Sequence, residues 1–346
     1  MKAALLSAPN EMRLSEVDTP AAGPGELVLR VKSASICGTD LRIITGRKTK
    51  GVRFPSVLGH EFSGEIVEVG EGVTQFRTGQ RVTMDPVMPC RRCAYCRTGR
   101  ENVCLNRQAM GYEFDGAFAD YLRIPALALE CGNVFAMPDG MSFDAAALAE
   151  PLACCLNGQR NAQVGLGDDV LILGAGPIGL MHVQLALASG ARSVVVSEPN
   201  GFRRDQAEKA GATQTIDPTK EDPGDVMRGL TDGLGASVVI LAIGVPKLAN
   251  DALGFVRKGG RVNLFAGFSV GDMPPLDVNL IHYNEILVSG ASALSRAGFE
   301  MALNMIANGK INVEQLVSNR FSLADMDEAV RLAAGGSAIK VIVGDV

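Results

Sequence analysis

The sequence predicts an α/β chain in two parts, a mostly β domain followed by a doubly wound parallel sheet. Three observations carry this. The length of 346 residues exceeds the roughly 100 to 200 typical of one domain. The texture changes near residues 153–165, and a strand–glycine–helix passage follows at once. Before the change, β-branched runs alternate with glycine turns: Leu27 to Val31, Gly64 to Gly70 and Gln80 to Thr83. After it, apolar strands at Val170 to Leu173, Ser193 to Val196, Thr215 to Asp217, Ser237 to Leu241 and Arg261 to Phe265 alternate with helix-length segments. A helix capped by Ser295 and running through Met305, then a closing strand from Ala338 to Val343, end the pattern.

Hydrophobic residues make up 47% and charged residues 21%, which describes a globular chain. A net charge of −5 gives no general attraction to phosphate backbones or anionic lipid, so neither nucleic acid nor membrane partners are expected. Met1 to Val17 carries Lys2, Glu11, Arg13 and Glu16 and no apolar run of signal-peptide length; a soluble, cytoplasmic protein is the expectation. In a reducing compartment, eight cysteines argue for metal binding or free thiols before disulfides.

Their spacing separates those readings. Cys90, Cys93, Cys96 and Cys104 form C-x2-C-x2-C-x7-C, and two-residue gaps let successive thiolates turn inward on one tetrahedral ion. Four sulfurs leave no open position, which predicts a structural zinc. Four free thiols or an iron–sulfur cluster are the alternatives. Arg91, Arg92, Arg97, Arg100 and Arg107 surround the cluster and would offset the negative charge of a four-thiolate zinc. A nucleic-acid zinc ribbon is disfavoured by the acidic chain and the missing aromatic interleaving.

A second set of ligands lies in Cys37-Gly38-Thr39-Asp40 and Gly59-His60-Glu61. Either segment alone would be read as a core cysteine and a structural histidine. Together they suggest a catalytic zinc, which takes three protein ligands and keeps a fourth position open. Cys37 and His60 are the firm ligands; Glu61 and Glu150 compete for the third place. Asp40 is the natural acceptor for the other ring N–H of His60. Neighbours in an extended segment point to opposite faces, so His60 and Glu61 can both face one ion only if the backbone bends there. Glu150 precedes Pro151, which should hold it extended.

Val170 to Leu173 runs into Gly174-Ala175-Gly176-Pro177-Ile178-Gly179 and then a helix-length run from Leu180 to Ser189, the context a dinucleotide-binding G-x-G-x-x-G requires. Gly174 allows the tight turn, Gly176 lets backbone approach a pyrophosphate, Gly179 lets helix pack on strand, and the helix start, Pro177 and Ile178 included, faces the phosphates. Glu198, at the end of the next strand, is placed for the ribose hydroxyls and favours NAD; Arg203 just beyond it is the feature that would admit NADP.

On Cys37 to Asp40, Gly59 to Glu61, the four-cysteine lobe, Glu150-Pro151 and Gly174 to Gly179, the chain resembles the zinc-containing medium-chain dehydrogenase/reductase family over essentially its whole length. Gly-His-Glu with Glu-Pro is most similar to the sorbitol, xylitol and threonine dehydrogenase branch. The resemblance implies a GroES-like catalytic domain over residues 1–155, a Rossmann domain over 156–290 and a C-terminal return over 291–346. It also implies a homodimer or homotetramer, a substrate hydroxyl polarised at zinc, and a carbinol hydride passed to the nicotinamide. Thr39 matches the first hydroxyl of the family's proton relay; helix capping is its structural alternative. Where a His commonly follows in the relay this chain has Arg42. Either the relay runs through cofactor ribose and water, the preferred reading, or Arg42 reads an acidic or phosphorylated substrate. Tyr112, Glu113 and Phe114, in the loop after the zinc lobe, are expected near the substrate pocket, with a place in the core as the alternative for Tyr112. A polyol or sugar-derived secondary alcohol leads, threonine is the alternative, and a dinucleotide-binding redox sensor without catalysis is the rival of a different class.

Overall fold

The computed structural model describes residues 1–269 and 271–345. The chain separates into two compact units. The first comprises Met1–Ala153, Ala293–Gly309 and the C-terminal stretch from Val313; the second comprises Cys154–Ser292 and Lys310–Asn312.

The second unit carries a six-stranded parallel sheet. Its strands lie side by side in the order Gln214–Ile216, Ser193–Ser197, Asp169–Leu173, Ala236–Leu241, Val256–Leu264 and Leu287–Gly290. This is the doubly wound order, with its reversal beside Asp169–Leu173. Asp169–Leu173 and Ala236–Leu241 are buried at every position, as parallel strands covered on both faces must be, which is why they read as continuous apolar runs. The last strand, Leu287–Gly290, was not expected from the sequence. It has four residues, none of them buried, so no hydrophobic period announces it.

The first unit is built on a seven-stranded sheet. Six strands lie in the order Val134–Ala136, Arg81–Met84, Glu61–Val69, Leu27–Ser35, Lys340–Gly344 and Val317–Phe321, and Tyr121–Ile124 also pairs with Leu27–Ser35. Leu27, Leu29, Phe62, Ile66 and Phe118 form its core. Register joins three distant segments at one point: Ser35 faces Glu61 on one neighbour and Ile342 on the other. The closing strand, Lys340–Gly344, therefore lies beside the strand end that leads into Cys37.

The helix capped by Ser295, whose hydroxyl accepts from the Gly298 amide, runs over Arg296–Ala307. One expectation is corrected. Glu150 is not extended: it lies in the first turn of the helix Ala149–Asn161. Proline is tolerated in a first helical turn because its missing N–H would have had no partner there, so Pro151 does not hold its predecessor out of the helix. Among the described residues no helix is long and apolar enough to cross a membrane.

Candidate metal centres and dinucleotide site

The four sulfurs of Cys90, Cys93, Cys96 and Cys104 lie within 4.8 Å of one another. Cys93 Sγ stands 3.4 Å from Cys96 Sγ and 3.9 Å from Cys104 Sγ. Sulfurs held about 2.3 Å from one zinc lie about 3.8 Å apart along a tetrahedron edge. The observed separations bracket that value and are far too long for disulfides, so the donor set fits zinc. Backbone amides favour the thiolates: those of Cys90 and Asn106 donate to Cys104 Sγ at 3.2 and 3.4 Å. Amides of Cys96 and Leu105 bring the Cys93 thiol down to about 6. Of the surrounding arginines, Arg91 and Arg107 donate to the carbonyls of Glu130 and Asn102 and so stay beside the lobe.

Cys37, His60 and Glu61 form a second set, their ligand atoms within 4.8 Å of one another. Cys37 caps the helix Gly38–Ile44, and its amide donates to Asp40 Oδ2 at 2.9 Å. Thr39, half-buried in that helix's first turn, is thus not the cap. Fully buried Asp40 turns its other oxygen, Oδ1, to 3.3 Å from His60 Nδ1, an ion-pair approach that lacks the alignment of a hydrogen bond. That contact leaves Nε2 as the ring nitrogen for a metal. Burial alone would lower the His60 pKa, but the charges of Asp40 and Cys37 raise it well above 6.5 overall. The bend needed for His60 and Glu61 to share a face is present: Gly59 has φ +98°, and His60 precedes the strand that Glu61 begins. Residues with a Cβ rarely adopt that φ, which accounts for glycine before the histidine.

Glu61 divides its carboxylate. Oε2 meets Lys340 Nζ at 2.5 Å and accepts a short hydrogen bond from the Ser35 hydroxyl, whereas buried Oε1 has no protein partner. An orphaned buried carboxylate oxygen beside a thiol and an imidazole fits a metal ion, which would satisfy it. Glu150 is buried in the same unit but does not close into the 4.8 Å set; its charge is felt at Lys340 and Asp85. Of the residues expected near a pocket, Tyr112 stacks obliquely 5.9 Å from the His60 ring. Glu113 is exposed and accepts from the Ala109 amide, and both Tyr112 and Phe114 pack, partly buried, on the core.

In the second unit Gly174 turns with φ +103°, and a Cβ on Gly179 would stand 2.0 Å from the Gly174 carbonyl oxygen, so the helix Pro177–Ala188 can sit this close only with glycine there. Gly176, the helix cap, faces open space. Beyond Pro177, which has no N–H, the amides of Ile178 and Gly179 have no partner within the helix. An open glycine loop with unpaired amides fits a pyrophosphate. Glu198 is buried at the loop, its oxygens accepting from the Ala175 and Asn200 amides at 2.9 and 3.0 Å. Arg203 follows on the helix Gly201–Lys209, its Nε buried without a partner.

Residues 23–134 match the alcohol dehydrogenase GroES-like domain and residues 177–308 the zinc-binding dehydrogenase model. The L-threonine 3-dehydrogenase of Thermococcus kodakarensis is 36% identical over 95% of this chain and 93% of its own. The chain belongs to the zinc-binding dehydrogenase family. A sorbitol dehydrogenase of Halalkalibacterium halodurans is 34% identical over 95% of this chain and 94% of its own. The solved structure of a Sinorhizobium meliloti dehydrogenase bound to NADP superposes with a TM-score of 0.93 at 33% identity, covering 99% of each chain.

Within this zinc-binding dehydrogenase, Lys340 is the residue that sequence reasoning missed. It is 4% exposed, pairs with Glu61 and donates to the Ile36 carbonyl at 3.2 Å. Burial would lower its pKa, yet Glu61 and Cys37 raise it above the ordinary 10.5. The signal was a lone lysine in Ile339-Lys340-Val341-Ile342-Val343, since a charge in an apolar strand needs a buried partner. Arg204 was also missed: it donates to the Glu198 and Pro199 carbonyls, which leaves Arg203 as the arginine still able to meet a ligand.

Proposed function

We propose that this chain oxidises a secondary alcohol, of a polyol or sugar-derived molecule, with NAD as hydride acceptor. The observation that carries the reading is the three-sided set of Cys37, His60 and Glu61 with one carboxylate oxygen still unpartnered. A redox sensor needs no such open donor set. Cys37, His60 and a glutamate would hold the catalytic zinc, and Cys90, Cys93, Cys96 and Cys104 the structural one. Bound zinc supplies Lewis acidity that lowers the pKa of a substrate hydroxyl, and the nicotinamide accepts the hydride. Asp40 orients the His60 ring through Nδ1. The Thr39 hydroxyl, two residues from Cys37, would take the alcohol proton as the first member of a relay. Glu61 and Glu150 are the carboxylates that would share the third ligand place; Glu61 Oε1 is free to serve there, while Oε2 is paired with Lys340.

Gly174, Gly176, Pro177, Ile178 and Gly179 would cradle the pyrophosphate, with Glu198 on the ribose hydroxyls. The buried carboxylate of Glu198 supports NAD over NADP, because a 2′-phosphate would meet a negative charge. The NADP bound by the Sinorhizobium relative favours a second reading, in which Arg203 takes that phosphate. Threonine is the second reading for the substrate, on the identity to threonine 3-dehydrogenases. The assembly proposed is a homodimer or homotetramer, checked by sedimentation.

The deciding experiment is a panel of secondary alcohols, polyols and threonine assayed with each cofactor by nicotinamide absorbance, on protein carrying measured zinc. Turnover of polyols with NAD, abolished by Cys37→Ser, is the expected result. Turnover of threonine alone would replace the polyol, and no turnover of any alcohol would overturn the enzyme reading.

A further inference from the structure

Between Asp40 and Glu61 the chain carries five cations, Arg42, Arg47, Lys48, Lys50 and Arg53, and no carboxylate, within a chain whose net charge is −5. This run is the stretch that connects the two catalytic ligand segments. Only Arg53 is neutralised by an ion pair among the described residues, meeting Asp115 at 2.5 Å. Lys48 is the cation held against Tyr112. Its amide donates to the Arg42 carbonyl at 3.0 Å, which ties it to the helix bearing Thr39. Its ammonium donates to the Tyr112 hydroxyl at 3.0 Å and lies 4.8 Å from that ring's centre. Tyr112 is the ring standing against His60 at 5.9 Å. One aromatic side chain thus separates Lys48 from a metal-ligating imidazole, and holds the ammonium by its hydroxyl and its face together. A lysine has three donors, and the tyrosine hydroxyl uses one.

We propose that Lys48, positioned by Tyr112, is a specificity-determining residue that binds an anionic group, a phosphate monoester or a carboxylate, on the substrate carbons remote from the carbinol. The inference rests on the alcohol-oxidising reading above and narrows its substrate class. An ammonium with no ion pair among the described residues, half-buried against an aromatic ring, is poised for an oxyanion, because a charge-assisted contact is stronger than one to a neutral hydroxyl. A neutral polyol leaves the same donors to solvent. The surrounding unpaired Arg42 and Lys50 add positive potential that draws an anion to this side of the site.

The test compares three compounds of matched skeleton, D-sorbitol, D-sorbitol 6-phosphate and D-gluconate, on the zinc-loaded enzyme with NAD. It is run on the unaltered protein, Lys48→Met, Lys48→Arg and Tyr112→Phe. At least one anion should exceed sorbitol in kcat/KM. In Lys48→Met that ratio should fall by about 10- to 100-fold, the range of one charge-assisted contact, and mostly through KM. Lys48→Arg should restore most of it, Tyr112→Phe should lower it in part, and raised salt should shrink it. The better of the two anions identifies the group. Calorimetric titration of the same anions into the unaltered protein and Lys48→Met gives a readout without turnover: affinity should drop by a similar factor. Anions no better than sorbitol, or a ratio and affinity unmoved by Lys48→Met, would overturn the proposal. If no alcohol is oxidised, the parent reading fails, while the calorimetric difference still decides for or against Lys48.

Discussion

Replacing Lys340 by methionine keeps the length and apolar stem of the side chain and deletes its charge, leaving the Glu61 carboxylate buried without its cation. The pair is 4% and 1% exposed and closes at 2.5 Å, so the variant belongs with broken buried ion pairs, whose cost is about 3–5 kcal/mol. The Ile36 carbonyl loses a donor as well. For a unit of this size about 2–4 °C accompanies each kcal/mol, so the first unit should melt about 6–20 °C lower. Because a two-unit chain need not unfold in one step, the transition to follow is that of the first unit, resolved by calorimetry. The loss should be greatest in metal-depleted protein measured against wild type treated alike. With zinc added the freed carboxylate regains a cation, and the penalty should shrink. Pairing Lys340→Met with Glu61→Gln removes the orphaned charge and should recover more than half of the loss. A cost under about 1 kcal/mol in the depleted protein, or a double variant no better than Lys340→Met, would refute the argument from buried charge.

Elemental analysis should find two zinc ions per chain; Cys37→Ser should lose one together with turnover, and Cys93→Ser the other together with stability. On acidification the Cys37–His60 zinc should leave first. A metal needs neutral imidazole, and a His60 pKa raised above 6.5 lets protons compete as pH falls through that higher value, whereas the set of Cys90, Cys93, Cys96 and Cys104 offers four sulfurs to one ion and should give it up later. Zinc release followed with a chromogenic chelator from roughly pH 8 to 5 should show two steps, and one step would contradict the assignment. Glu198→Ala should shift kcat/KM towards NADP by about tenfold, the worth of one charge-assisted contact, and Arg203→Ala should shift it back.

The parts of this molecule legible in the sequence are those whose chemistry is local. Cys90, Cys93, Cys96 and Cys104 announce themselves because a thiolate cluster is encoded in short spacing. Gly174 to Gly179 do so because turn, open approach and close packing each demand glycine within six residues. What stayed hidden depends on register between distant strands. Nothing near Glu61 signals that residue 340 will face it; that arises only from Ser35 pairing with Glu61 on one side and Ile342 on the other. Glu150 was misread for a different reason. The steric rule for a residue before proline is a bias, and the first turn of a helix is where it is weakest, since proline costs no hydrogen bond there.

The discontinuity of the first unit has a chemical as well as a mechanical reason. Cys37, Asp40, His60 and Glu61 bring one thiol, one imidazole and two carboxyl groups together, and among the described residues up to 153 no lysine or arginine pairs with Glu61. An ion of charge two, held there, would offset the carboxylates further. The strand Lys340–Gly344, arriving after the entire second unit has been threaded, supplies a second cation on the far side of the same carboxylate. Two cations competing for one carboxylate make its metal bond weaker than a ligand with no alternative, and a weak third ligand is what an exchanging coordination site requires. The C-terminal return therefore does more than close the sheet: by adding Lys340 it would set how tightly Glu61 could hold the proposed metal.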